Sequence, residues 1–141
     1  MTNTLNDKII SCFYESSEDC VKVVDIHGIL KSFNENGLKV MEIDNQADVI
    51  GKAWLSFWKG DLEIPAREAF AKAAAGEPAL FEGFCPTLKG TMKYWTVSLV
   101  PILEDDGSVG SILITSKDTT KILELEKRID ELESEMSKLR S

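Results

Sequence analysis

Histidine is almost missing from this chain: His27 is the only one in 141 residues. It precedes Gly28, and a turn is where such a polar residue is tolerated, so a metal site or a phosphoacceptor histidine is not expected. Cysteine is scarce too. Cys12, Cys20 and Cys85 are odd in number and form no Cys-x-x-Cys. They predict reduced thiols in a cytosol and exclude a disulfide frame or zinc site. No apolar run approaches the roughly 20 residues of a spanning helix. The start, Met1 to Asp7, has neither a basic stretch nor an apolar one, so no secretory signal is visible. Positive charge is in deficit, with 16 Lys and Arg against 24 Asp and Glu and a net charge of −8. An acidic chain repels phosphate backbones and anionic lipid, which makes nucleic acid and membrane surfaces poor partners. Also absent are Gly-x-x-x-x-Gly-Lys, His-Glu-x-x-His and Gly-x-Ser-x-Gly. The expectation is a cytoplasmic protein that is not an enzyme and holds no metal.

What is there is ordinary globular composition, 43% hydrophobic and 28% charged. The length suits one domain with accessory segments, and a core of about 100 residues needs no staples. Leu5, Ile9, Cys12 and Phe13 recur at helical spacing near residues 4 to 14. Val21 to Ile26 and Ile29 to Phe33 flank His27-Gly28 and read as a hairpin. Short helices and loops fill 34 to 60, where Asn34 or Asn36 suits a helix cap. A better helix spans about 62 to 75, with Pro65 in its first turn and Gly76 and Pro78 ending it. Strand-like runs follow at 79 to 85, 93 to 103 and 109 to 117. Two strands, helices, then three strands suit one antiparallel sheet with helices gathered on one face.

The last twenty residues change character. Ile122, Leu125, Ile129, Leu132, Met136 and Leu139 step by alternating threes and fours, the a/d seam of a coiled coil. In a parallel dimer the g and e positions pair Lys121 with Glu126, Arg128 with Glu133, and Glu135 with Arg140. All three attract, and β-branched Ile at a with Leu at d favours two strands. An antiparallel pairing sets Arg128 against Arg128. The predicted partner is therefore a second copy in parallel. The other reading is an amphipathic helix lying on its own domain, since three heptads are short. The heptads run to Leu139, which suggests that the chain is part of something longer.

These residues resemble the PAS family over about 19 to 120. Asp25-Ile26-His27-Gly28-Ile29 is similar to the family's Asp-x-x-Gly hairpin, and Asn34 stands where the second strand usually ends in Asn. Val49-Ile50-Gly51-Lys52 resembles its Leu-Ile-Gly-Lys element. Tyr94-Trp95 through Val100-Pro101-Ile102, then Asp-Asp-Gly, is similar to the long fourth strand and its turn. Asp118-Thr119-Thr120 resembles the Asp-Ile-Thr ending, with Thr at the middle place. The resemblance implies an α+β fold, a five-stranded antiparallel sheet with helices on one face. It divides the chain into a flanking helix (1–18), a PAS domain (19–118) and a coiled-coil signalling helix (119–141). The function implied is a sensory and dimerisation module that signals through the coiled coil to an effector in the same longer chain, such as a histidine kinase. The rivals are a ligand-free dimerisation domain and a flavin-binding redox or light sensor.

The resemblance also assigns sites. In ligand-binding relatives the face holding the residue after the Trp points into the cavity, which selects Thr96 and Ser98, with Ser116 opposite. The full candidate pocket is Phe33, Trp54, Phe57, Tyr94, Thr96, Ser98, Ile114 and Ser116. The other reading makes Thr96 and Ser98 strand formers on a solvated face, and Trp54, Phe57 and Trp58 plain core. Asp118, Thr119 and Thr120 are the expected strand-to-helix coupling, with Asp118 capping the last helix. The ligand and cofactor stay open. Haem is not expected, because the helix over 62–75 has no histidine, and a cysteinyl-flavin is not, because no Asn-Cys-Arg precedes that helix. Cys85 reads as a packed or edge thiol.

Overall fold

Thr4 begins the first helix. Its hydroxyl accepts the Asp7 N–H while the Asp7 carboxylate accepts the Thr4 N–H, a reciprocal cap. Helix α1 then runs over Leu5–Ser16. The structure, a computed structural model, describes residues 4–140; Met1 to Asn3 and Ser141, the outer ends of the two expected flanking segments, lie outside them.

Strands β1 (Cys20–Asp25) and β2 (Leu30–Phe33) form the expected hairpin. The Asp25 carboxylate accepts the N–H groups of His27 and Ile29, at 2.9 and 3.0 Å, and Gly28 takes the positive φ of 81° that the turn requires. Helix α2 (Glu35–Val40) and three short 3-10 turns lead into helix α3 (Glu63–Ala74). Strands β3 (Ala79–Pro86), β4 (Met92–Leu103) and β5 (Val109–Asp118) follow, and helix α4 spans Thr120–Arg140. The five strands make one antiparallel sheet in the order β2-β1-β5-β4-β3. The first and last segments of the domain therefore meet at its centre, where β1 pairs with β5.

The inner face of the sheet carries Val24, Trp95, Val97, Leu99, Ile112 and Ile114, all buried. Side chains like Leu99 and Ile114 each stabilise the fold by about 1.5–3 kcal/mol when fully buried. Helix α3 packs here through Ala66, Ala69 and Ala73, whose small side chains let it sit close. The aromatic end of the core is an edge-to-face set, with Trp58 centred 5.7 Å from Trp54 and 5.0 Å from Phe81.

Asn34 ties three elements together. Its oxygen accepts the N–H groups of Val21 and Gly37, capping α2. Its amide donates to the carbonyls of Tyr14 and Asp19. A fully buried amide is tolerated because its donors and acceptor are all used. Helix α1 lies toward the opposite, outer face, where Ile10, Phe13 and Tyr14 line a shallow groove with Val21, Leu113 and Thr115. No helix among the described residues is long and apolar enough to cross a membrane.

Candidate functional site

Between the inner face of the sheet and the segment of 3-10 turns lies a cavity of about 330 Å³. All three tryptophans of the chain, Trp54, Trp58 and Trp95, line it, with Leu30, Phe33 and Ile43. Trp95 spends its one donor within the wall, on the Cys85 carbonyl at 3.0 Å. The Cys85 thiol points to the Phe57 carbonyl, 3.7 Å away, and burial pushes its pKa up. It is an inert wall group.

At the sheet side the cavity is polar. Lys22 alternates inward with Cys20 and Val24 on β1, and only 2% of it is exposed. Its ammonium donates to Ser116 Oγ at 2.9 Å and to Cys20 Sγ at 3.1 Å, and stands 5.3 Å from the centre of the Phe33 ring. Burial raises the Cys20 pKa and outweighs the opposing pull of the ammonium, so the thiol is neutral. Lys22 makes no ion pair among the described residues.

Of the expected pocket residues, the structure brings Phe33, Trp54, Phe57 and Ser116 to the cavity. Trp54 and Trp58 are core and cavity wall at once. Ile114 is buried on the same face, in the core beside it. Tyr94, Thr96 and Ser98 correct the expectation: they lie on the outer face. The inward row of β4 is Trp95, Val97 and Leu99. Strand faces are exclusive, and three large apolar side chains outweigh two hydroxyls for the buried one. Reasoning from the sequence missed Lys22.

Two of the displaced residues belong to the joint between β5 and α4. The Tyr94 carbonyl accepts the Thr119 N–H at 2.8 Å, and its N–H donates to the Thr120 hydroxyl at 2.9 Å. The Thr96 and Thr119 hydroxyls are 3.1 Å apart. Asp118 accepts from the Thr120 N–H at 3.1 Å and from its hydroxyl at 2.6 Å. Lys93 closes the joint, its ammonium 3.6 Å from Asp118 and bonded to the Val40 carbonyl at 2.8 Å. Partial burial works against the Asp118 charge, but the Thr120 bonds and Lys93 hold its carboxyl below the usual range. Asp118, Thr119 and Thr120 thus sit together with β4 at the root of α4.

Beyond the joint no residue of α4 is buried. Ile122, Leu125, Ile129, Leu132, Met136 and Leu139 are 41–86% exposed along one stripe. Helix α4 touches the domain near its root, where Lys127 Nζ stands 6.0 Å from the Phe84 ring centre. His27 is an exposed turn residue, and no His, Cys, Asp or Glu cluster among the described residues could hold a metal ion.

The family model described as the PAS fold matches residues 14–122. Comparison with curated proteins returns no match. Among solved structures, the chain is similar to an RNA-binding light-oxygen-voltage receptor at 16% identity and a TM-score of 0.76. That match covers 100% of this chain and 40% of the receptor's. The PAS domain of BvgS from Bordetella pertussis matches at 18% identity and a TM-score of 0.64, covering 94% of this chain and 99% of that one. A domain of a sensory box sensor histidine kinase/response regulator from Geobacter sulfurreducens matches at 20% identity and a TM-score of 0.67, covering 84% and 100%. At these identities the likenesses concern the fold.

Proposed function

The chain belongs to the PAS-fold family, and on that footing we propose that it is a sensory and dimerisation module that signals through a parallel α4 coiled coil to an effector such as a histidine kinase. One observation carries the reading: the apolar stripe of α4 is uncovered along its whole length, while its root is hydrogen-bonded to β4 and β5. A stripe of this kind in water favours a second copy. It argues against the helix lying on its own domain. A change in the cavity reaches α4 through β5, because Ser116 lies two residues before Asp118. Helix register or crossing in the dimer is then the bistable element. The domain is residues 19–118 in this reading, with 1–18 and 119–141 as flanking helices.

Light scattering tests the dimer. The wild-type chain is expected at twice the chain mass, and Ile129→Asn with Leu132→Asn at or near the monomer mass with the domain still folded. Unchanged dimer mass in that variant removes the seam as the interface.

A second reading, a flavin-binding light or redox sensor, is favoured by the likeness to a light-oxygen-voltage receptor. The absorption spectrum of fresh protein decides it. A flavin band supports that reading, and a colourless protein removes it. No covalent flavin–cysteine adduct is expected, because no Asn-Cys-Arg element precedes α3.

A further inference from the structure

Lys22 places an ammonium in the core with no carboxylate partner among the described residues. Burying a charge is costly unless it is paired, and a ring face offsets only part of that cost. Lys22 has three N–H donors. Two point at Cys20 and Ser116, both neutral, and the residue lines a cavity whose other walls are mainly aromatic and aliphatic. The Ser116 hydroxyl accepts from Lys22, so its own proton remains to be donated. Side by side, these are two donors for two oxygens. Lys59, the other cation on the lining, is exposed. A phosphate dianion would need more donors and more charge than this pair offers.

We propose that the cavity binds a small monocarboxylate with an apolar body, the carboxylate on Lys22 Nζ and Ser116 Oγ and the body among Trp54, Trp58 and Trp95. The ligand supplies the missing counterion, and the chain supplies a sleeve for the apolar part. It also draws on Ser116, two residues before the joint, so occupancy is felt at the root of α4.

This inference rests on reading the domain as a sensor, and the test separates the two. Intrinsic tryptophan fluorescence reports directly, since all three tryptophans line the cavity. Purified wild-type chain is titrated with octanoate and with its neutral counterpart octanol. A saturable response at least about tenfold tighter for octanoate is expected, as a hydrogen bond to a charged group implies. Lys22→Met should lose that preference and bind octanol as well as octanoate. Equal affinity for the two in wild type, no binding of either, or a preference surviving in Lys22→Met overturns the proposal. The wild-type comparison stands by itself if the variant does not fold. Light-scattering mass is read on the same samples. A dimer without octanoate preference removes the ligand assignment alone, and a monomer with the preference removes the coiled-coil reading alone.

Discussion

Lys22 on β1 reaches Ser116 on β5, Nζ to Oγ 2.9 Å, across the central strand pair of the sheet and beneath an apolar cavity. The two partners are not equivalent for stability. Lys22→Met removes a buried charge together with its solvation demand, and apolar replacement of such groups is often neutral or stabilising. Ser116→Val leaves the ammonium with one polar partner fewer and should cost about 1–3 kcal/mol. Urea denaturation is expected to show Lys22→Met at or above wild-type stability and Ser116→Val below it. The reverse order would mean that Lys22 is satisfied by the chain alone.

Lys22 also marks where the sequence stops being legible. Lysine in a strand is by default a solvated residue, and both alternating rows of β1 contain valine. Val21 lies toward α1 and Val24 toward the core, so both faces are covered and the alternation names neither. On β4 the face carried over from the resemblance selected Thr96 and Ser98, and the alternation, with strand formers in both rows, could not correct it. Which row is buried depends on elements packed from far along the chain, as α3 packs here through Ala66, Ala69 and Ala73. Local signals behaved differently. Asp25 with Gly28 and Pro65 with Gly76 act through their own neighbours, so the hairpin and α3 could be read directly, while the α2 cap was narrowed to Asn34 or Asn36, of which the structure uses Asn34.

Gly37 is the tightest point of the Asn34 junction. A Cβ there would stand 2.5 Å from Asn34 Oδ1 and 3.0 Å from Cys20 Sγ. Helix propensity favours alanine by about 1 kcal/mol, whereas overpacking a core costs about 1–3 kcal/mol. The clash should win. Gly37→Ala is expected to lower the denaturation midpoint, and a raised midpoint would show that the junction has room.

Ser98 separates the two faces of β4 functionally. Lying on the outer face, it should leave the cavity untouched, so Ser98→Ala is expected to titrate with octanoate as wild type does in tryptophan fluorescence. A loss of affinity comparable to that of Lys22→Met would return Ser98 to the pocket.

Asp118 carries a pH signature. Its carboxyl is held below the usual range in the folded chain, so its contribution is complete above the unfolded pKa and is lost as pH falls through the folded one. Asp118→Ala should cost about 1 kcal/mol near neutrality, as a helix-start carboxylate does. The gap in melting temperature from wild type should close below about pH 4, the ordinary carboxylate range. A gap that persists in acid would mean that the side chain acts without its charge. Joined to an effector domain, as the proposed function requires, the substitution should alter output or its response to stimulus while abundance stays nearly unchanged.

The parallel α4 dimer is the claim on which signalling depends, and a cysteine placed on the seam tests it directly. Met136 is at an a position, where each residue faces its own counterpart in a parallel in-register pair, whereas Ser134 is at an outward f position. In a Cys12→Ser background, which removes the exposed native thiol, Met136→Cys and Ser134→Cys are oxidised and run on a non-reducing gel. Rapid conversion of Met136→Cys to a disulfide dimer, with Ser134→Cys remaining monomeric on the gel, is the predicted result. Failure of Met136→Cys to cross-link, or equal cross-linking at both positions, would contradict it.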